Sequence, residues 1–295
     1  MQTDTIVAAI DAGGTSFKCA LVDAAGMVLK AWSVPTTHPD ETLGACIATF
    51  ESAIARQSTK PVALGIASFG PVEIDPSSPR YGTITGTAKP GWDGVPIGPT
   101  LSAALKLPFH LDTDVNAALL AEMRWGAARG LDSAAYMTVG TGIGVGQFLN
   151  GALVGRPTHP EFGHIRVQRH AADQTFEGTC ALHGDCLEGL ASATAMTARW
   201  ASPEDLPEDH IGWEIEADYL AQACLNLVLA TRVQRIIIGG GLMNARHLLA
   251  RIRERFDVLM GAYLPVVGAE TIYAPELGAQ AGVLGGAVLA LDAIN

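Results

Sequence analysis

The sequence predicts an α/β chain of two similar lobes, and three observations lead there. A β-meander at 5–35 returns at 134–154, strand-like apolar runs alternate with helical patterns between and after them, and a Cys- and His-rich stretch interrupts the second lobe. Residues 5–11, TIVAAID, are a short apolar run ending in Asp11, and Gly13-Gly14-Thr15 follow at once. SFKCALVD then alternates, and Ala25-Gly26 turns into MVLKAWSV, which completes a strand, turn, strand, turn, strand order. AAYMTVGTGIGVGQFLNGALV repeats that order, with 11 residues from Gly140 to Gly151 against 12 from Gly14 to Gly26. A duplicated meander implies two lobes with a cleft between them.

The remaining elements follow in order. Leu43, Ile47, Phe50 and Ile54 share one helical face, and PVALGIAS at 61–68 is a buried type of strand. Residues 75–96, rich in Pro, Gly, Ser and Thr, read as a long ordered loop over a site, with Trp92 as either a lid or a core anchor. FHLDTD at 109–114 is a short strand that delivers Asp112 and Asp114 to its end, and NAALLAEMRWGAARG continues as a helix finished by Gly130. Ile215, Tyr219, Ala223, Leu227 and Thr231 mark a further helix, followed by strand RIIIGGGLM and helix ARHLLARIRERF. The last apolar helix, within 278–295, is expected to pack back on the first lobe. The expected division is therefore 1–115 plus 278–295 as the smaller lobe, and 116–277 as the larger, carrying an insertion at 159–190.

At 295 residues, 48% hydrophobic and 17% charged, the chain has room for one large or two medium globular domains. The net charge of −11 argues against a nucleic-acid or anionic-membrane partner, and it leaves an anionic ligand dependent on local backbone donors and a cation. Five cysteines suit a reduced compartment, with Cys19, Cys46 and Cys224 expected as inert core thiols. No signal peptide opens the chain and no apolar run reaches transmembrane length, so the expectation is cytoplasmic.

The densest chemistry lies between His159 and Ser192. Cys180, His183 and Cys186 are spaced C-x-x-H-x-x-C, which lets a tight loop aim three ligands at one point, with His164 as the fourth. Two thiolates and two imidazoles favour a structural zinc ion; the alternative is a Cys-lined turn without metal. Glu161 and Glu188 would stand rigidly beside that point as the wall of a polar pocket, while His159 and His170 read as ordinary loop histidines. Asp11-Ala-Gly-Gly-Thr15 with Lys18 suits a phosphate-holding turn near magnesium, or simply a hairpin turn. Gly140-Thr141-Gly142 is a second such turn, and the alternating strand after it, in place of a helix, makes it a poor dinucleotide fingerprint. Gly239-Gly240-Gly241 is a third, at a strand end that suits a nucleotide sugar and base. Asp114 could take a proton from a sugar hydroxyl as it attacks a phosphoryl group, or could cap the helix that follows; Asp112 reads as a local hydrogen-bonding residue.

Together these motifs resemble the ROK family of sugar kinases and regulators (repressor, open reading frame, kinase), within the actin/hexokinase-like ATPases of ribonuclease H-like duplicated lobes. DAGGTSFK looks like the first phosphate motif, VGTGIGVG the second and GGGLM the adenosine motif. DTDVNAALLAE looks like the catalytic segment, and PEFGHIRV with GTCALHGDCLEGLAS like the zinc and sugar signature. The resemblance implies Asp114 as general base, with Glu161, His164 and Glu188 reading sugar hydroxyls, helped by Gly70 and the 86–92 loop. It also implies ATP across Thr15, Thr141, Gly240 and Gly241, alongside Gly13, Gly14 and Gly142, with Asp11 and Lys18 near magnesium. Three departures matter: Thr113 stands where many members have a sugar-contacting Asn, C-x-x-H-x-x-C replaces C-x-C-x4-C, and Ala193-Thr194 replaces Gly-Pro beside the nucleotide. With Tyr81–Trp92, the variant cluster is similar to the family's bacterial fructokinases more than to its glucokinases.

The implied activity is ATP-dependent phosphorylation of the 6-hydroxyl of fructose, or of mannose, in a cytoplasmic homodimer with zinc and magnesium. Alternatives are a glucose or N-acetylhexosamine kinase, a sugar-responsive regulator, and an actin-like filament subunit. The regulator is expected to need an N-terminal DNA-binding module, for which a first strand beginning by Thr5 leaves no room. A filament subunit would have no use for Glu161, His164, Glu188 or a zinc loop.

Overall fold

The computed structural model describes residues 5–87, 89–264 and 268–294. Residue 88, inside the 86–92 stretch, lies outside them. The first unit begins with β1 (Ile6–Ala12), β2 (Ser16–Asp23) and β3 (Val28–Pro35), followed by α1 (Pro39–Ala55), β4 (Leu64–Ser68), α2 (Ile97–Leu105), β5 (Phe109–Thr113) and α3 (Asp114–Trp125). The sheet order is β3-β2-β1-β4-β5, with β1 antiparallel to β2 and parallel to β4, and β4 parallel to β5. β1 and β4 are buried on both faces, which explains their near-continuous apolar sequence. Leu43, Cys46, Phe50 and Ala53 form the buried face of α1.

Three local points are added or altered. Helix α2 occupies a stretch for which the sequence suggested no element; Pro99 falls in its first turn, where a missing N–H costs little, and Ile97 and Leu101 are buried. Trp92 is a core anchor: it is wholly buried against Phe17 and Phe69, and its Nε1 donates to the Thr37 carbonyl at 2.9 Å. The helix expected to run to Gly130 stops at Trp125, where the Gly126 N–H closes the last turn on the Glu122 carbonyl.

The second unit contains β6 (Ala134–Val139), β7 (Ile143–Leu149), β8 (Ala152–Leu153), α4 (Leu187–Ala191), α5 (Ala193–Arg199), α6 (Ile211–Thr231), β9 (Arg235–Gly239), α7 (Arg246–Met260) and β10 (Ile272–Tyr273). Its sheet order is β10-β9-β6-β7-β8, which repeats the first sheet strand for strand. β6 is antiparallel to β7 and parallel to β9, and β9 is parallel to β10, so the strand senses match as well. The expected third strand of the returning meander is present as β8, and the duplication extends to β10, a strand too short to show in the sequence. Helix α6 is buried around most of its circumference, Trp213, Tyr219, Leu220, Cys224 and Leu227 included. Helix α7 instead buries one stripe, Leu248, Ile252, Phe256 and Met260, at every fourth residue.

The last helix, α8 (Ala281–Asp292), belongs to the first unit, where it lies on β1, β4 and α3. That packing carries the first unit through the whole of α3 to Gly126, beyond the boundary expected near 115; Gly155–His159 also belong to it. Among the described residues no helix is long and apolar enough to cross a membrane.

Gly65 makes the α8 contact close: a Cβ there would sit 1.7 Å from the Gly286 carbonyl and 2.7 Å from the Ala290 nitrogen. Backbone cannot yield as a side chain can. Gly65→Ala is expected to destabilise the protein by about 3 kcal/mol, the upper end of overpacking costs. Urea unfolding curves for the two proteins check this, and an unchanged midpoint would contradict it.

Candidate active site

In the first unit, the parallel strands β1, β4 and β5 end together: Ala12 pairs with Ser68, and Ser68 with Thr113. Asp11, Gly70 and Asp114 are thereby delivered to the same edge, the carboxyl end of parallel strands where α/β proteins bind ligands. Asp11 and Lys18 are direct cross-strand partners in the β1–β2 register, and their side chains pair at 3.6 Å. Burial raises the Asp11 carboxyl above its ordinary range, and Lys18 opposes that shift. The turn between these strands is fixed from inside. The Gly13 N–H donates to the Ser16 carbonyl at 3.1 Å, the Thr36 hydroxyl donates to the Gly13 carbonyl at 2.8 Å, and the Thr36 N–H donates to the Thr15 carbonyl at 2.9 Å. Gly14 and Thr15 are left exposed at the tip.

The start of α3 corrects one reading. Thr113 is the helix cap, its hydroxyl accepting from the Asn116 N–H at 3.3 Å, so the capping role weighed for Asp114 is already filled. Asp114 is the first helical residue, and its Oδ1 accepts from the Val115 N–H at 2.8 Å. Burial, with a smaller contribution from the negative charge of Asp11, pushes the Asp114 carboxyl up to about 7. Such a group exchanges a proton readily near neutrality, as a general base requires.

Asp112 supports this junction. It is wholly buried, and Oδ1 accepts from the Thr113 N–H at 2.7 Å and from Asn116 Nδ2 at 2.8 Å, while Oδ2 pairs with Arg156. Sequence reasoning found Asp112 as a local hydrogen-bonding residue and passed over Arg156, whose partner lies 44 residues away. Lys89 was also passed over individually: its ammonium donates to the Gly14 carbonyl at 2.6 Å. The signal was present, since Lys89 sits in the KPGW run of a stretch already singled out.

In the second unit, His164, Cys180, His183 and Cys186 come together, with one ligand atom from each lying within 4.8 Å of the others. His164 Nδ1 is 3.4 Å from Cys186 Sγ and 3.8 Å from Cys180 Sγ, and His183 Nδ1 is 3.7 Å from Cys180 Sγ. The four could hold a metal ion, and His164 would keep Nε2 for another partner. Glu188 reaches from α4 to the second Gly turn, where its Oε2 accepts from the Ile143 N–H at 2.9 Å. The N-terminus of α5 grips the same turn: Thr194 Oγ1 donates to the Thr141 carbonyl at 2.7 Å, and the Ala193 N–H to the Gly140 carbonyl at 2.8 Å. Glu161, the partner expected beside His164, is exposed.

A cavity of about 1160 Å³ adjoins this turn, lined by Thr141, Thr194 and Gly241 together with Asn244, Arg246 and His247. Of the third Gly run, Gly241 lines the cavity. Gly240 serves the backbone instead: its φ is +96°, and a Cβ would meet Val139 backbone atoms at 2.4–2.7 Å.

Two mixed sheets of identical order, each ending in a Gly turn at its first hairpin, define a hexokinase-like α/β fold. The chain belongs to the ROK family, whose model matches residues 7–293. It is 40% identical to the fructokinase of Zymomonas mobilis over 98% of both chains. It is 39% identical to the fructokinase of Pediococcus pentosaceus over 98% of this chain and 99% of that one. Among solved structures it resembles a ROK family glucokinase from Streptomyces griseus in complex with glucose and AMPPNP, at 25% identity and a TM-score of 0.79 over 97% and 99% of the two chains.

Removing Arg156 leaves a wholly buried carboxylate without its cation. Arg156→Met is expected to cost about 3 kcal/mol, and adding Asp112→Asn should recover part of that loss, so the two changes are strongly non-additive. Denaturation of the single and double variants measures the coupling, and simple additivity would show that the pair contributes nothing as a pair.

Proposed function

We propose that the protein is an ATP-dependent hexose kinase that phosphorylates the 6-hydroxyl of fructose, with mannose as a secondary substrate. Asp114 carries the reading: a carboxyl poised near neutrality, close enough to Asp11 to sense its charge, at the strand ends beside the first Gly turn. Fructose as the preferred hexose is supported by relatives at about 40% identity, across nearly the full chain, that are named fructokinases.

Asp114 accepts the proton of the fructose 6-hydroxyl as its oxygen attacks the γ-phosphorus. The new O–P bond forms while the bond from the γ-phosphorus to the bridging oxygen breaks, and ADP leaves. Asp114 then releases its proton to solvent. Thr15, Lys18 and the Gly13-Gly14 backbone hold phosphate oxygens, as do Thr141 and Gly142. The nucleoside occupies the cavity lined by Thr194 and Gly241, with Gly240 shaping the backbone beside it. Asp11 would hold hydrated magnesium, which supplies positive charge to the phosphates when bound. Sugar hydroxyls are read by Glu161, His164 Nε2 and Glu188, with Gly70 and the Thr113 hydroxyl, which can donate while accepting its capping bond. The net charge of −11 supports small-molecule rather than nucleic-acid partners, and a cytoplasmic homodimer is the expected form.

The Cys/His cluster suits zinc. Tetrahedral zinc with bonds of about 2.3 Å to sulfur and about 2.05 Å to nitrogen separates N from S by about 3.6 Å. The three recorded separations of 3.4, 3.7 and 3.8 Å bracket that value. Zinc would fix the angle and tautomer of His164, leaving its other nitrogen aimed at the sugar.

A coupled ADP-release assay over fructose, mannose, glucose, N-acetylmannosamine and N-acetylglucosamine tests the proposal, with fructose expected to give the highest kcat/KM. Asp114→Asn should lower kcat by roughly two to four powers of ten while fructose binding is kept; near-normal turnover removes Asp114 from the chemistry. Because the ionised form is the base, kcat should fall as pH drops through about 7 and level off above it. Cys180→Ser, or chelation of the intact enzyme, should remove one zinc per chain and weaken fructose binding together. Fructose affinity that survives metal loss would separate the cluster from sugar recognition.

A further inference from the structure

We propose that Lys89 is a catalytic residue, a cation that leaves the Gly14 carbonyl for the γ-phosphoryl oxygens and stabilises them during transfer. The inference rests on the kinase reading and extends it to a residue outside the phosphate motifs.

Two lysine side chains lie at the first Gly turn. Lys18 is committed to Asp11, its cross-strand partner at 3.6 Å. Lys89 is not neutralised: its ammonium donates to an uncharged carbonyl, that of Gly14, at 2.6 Å, and among the described residues it makes no ion pair. A backbone carbonyl leaves the ammonium charge uncompensated, whereas a phosphoryl oxygen in the same place would bring the opposite charge to the same hydrogen bond. The surroundings call for such a cation. Asp11 and Asp114 lie close enough for one charge to raise the other's proton affinity, and charge on the transferring phosphoryl group sits on its three outer oxygens. In a chain of net charge −11, a lysine at this turn acts against the field of the whole protein.

The Gly14 contact is not what holds the segment in place. Trp92 anchors it through full burial against Phe17 and Phe69 and through its bond to the Thr37 carbonyl. The Gly86 N–H donates to Asp93 Oδ1 at 2.6 Å, and the Gly94 N–H to the Ile84 carbonyl at 2.9 Å. The anchored base leaves the Lys89 side chain free to exchange one acceptor for another, and a variant there should fold.

Steady-state kinetics of Lys89→Met and Lys89→Arg, with equilibrium binding of ADP and AMPPNP, test the assignment. Lys89→Met is expected to lower kcat by about 10²- to 10³-fold, the effect of removing one preorganised donor from a transition state. Fructose KM should stay within about threefold, ADP affinity should hold, AMPPNP affinity should fall, and Lys89→Arg should recover part of kcat. Three results overturn it: kcat within threefold of the parent, a raised fructose KM with kcat kept, or equal weakening of ADP and AMPPNP with a lowered Tm. The first leaves Lys89 a bystander, the second makes it a sugar contact, and the third makes it a strap for the turn. A parent protein inert toward every hexose instead removes the kinase reading and Lys89's role with it, whereas an active parent with a fully active Lys89→Met removes only Lys89's.

Discussion

Asp112 is a carboxylate with no access to water, and the site in the first unit depends on how it is satisfied. One oxygen takes the Thr113 N–H and the Asn116 side chain, which locks the turn from β5 into α3; the other takes the Arg156 guanidinium. A charge so buried is tolerable only when both oxygens are partnered. The partners that satisfy it also set where α3 begins, and so where Asp114 points. The carboxyl proposed as general base is therefore placed by a residue two positions earlier that need never touch a substrate.

The pair lies within the first unit, to which Gly155–His159, following directly from β8, also belong. Arg156 finds its partner there.

The two units share one sheet plan and put it to different uses. In the first, the register opposes Asp11 to Lys18, and the parallel strand ends gather carboxylates and cations at one edge. In the second, β8 and β10 shrink to two residues each, and the long segment after β8 supplies the Cys/His cluster, Glu188 and the short helices α4 and α5. Glu188, Ala193 and Thr194 all fasten to the Gly140–Gly142 turn or the residue after it. The cluster's own segment and the cavity's rim are thus joined by hydrogen bonds within one unit. Thr194 secures the turn through its hydroxyl.

Much of this could be read from the chain alone, because it depends on local periodicity and spacing. Alternation and Gly turns reveal the duplicated meander, since a hairpin is a short-range structure. C-x-x-H-x-x-C brings three ligands together through a loop that needs no distant support, and Asp11 and Asp114 are legible because each closes a recognisable strand. What the chain alone could not decide were the choices that depend on distant partners: the burial of Trp92, the pairing of Arg156 with Asp112, the contact of Lys89 with Gly14. A strand as short as β10 carries too few residues for a period, and α2 hides behind its Gly and Pro. In each case the deciding energy is the burial or pairing of groups tens of residues apart, which exists only once the chain has folded.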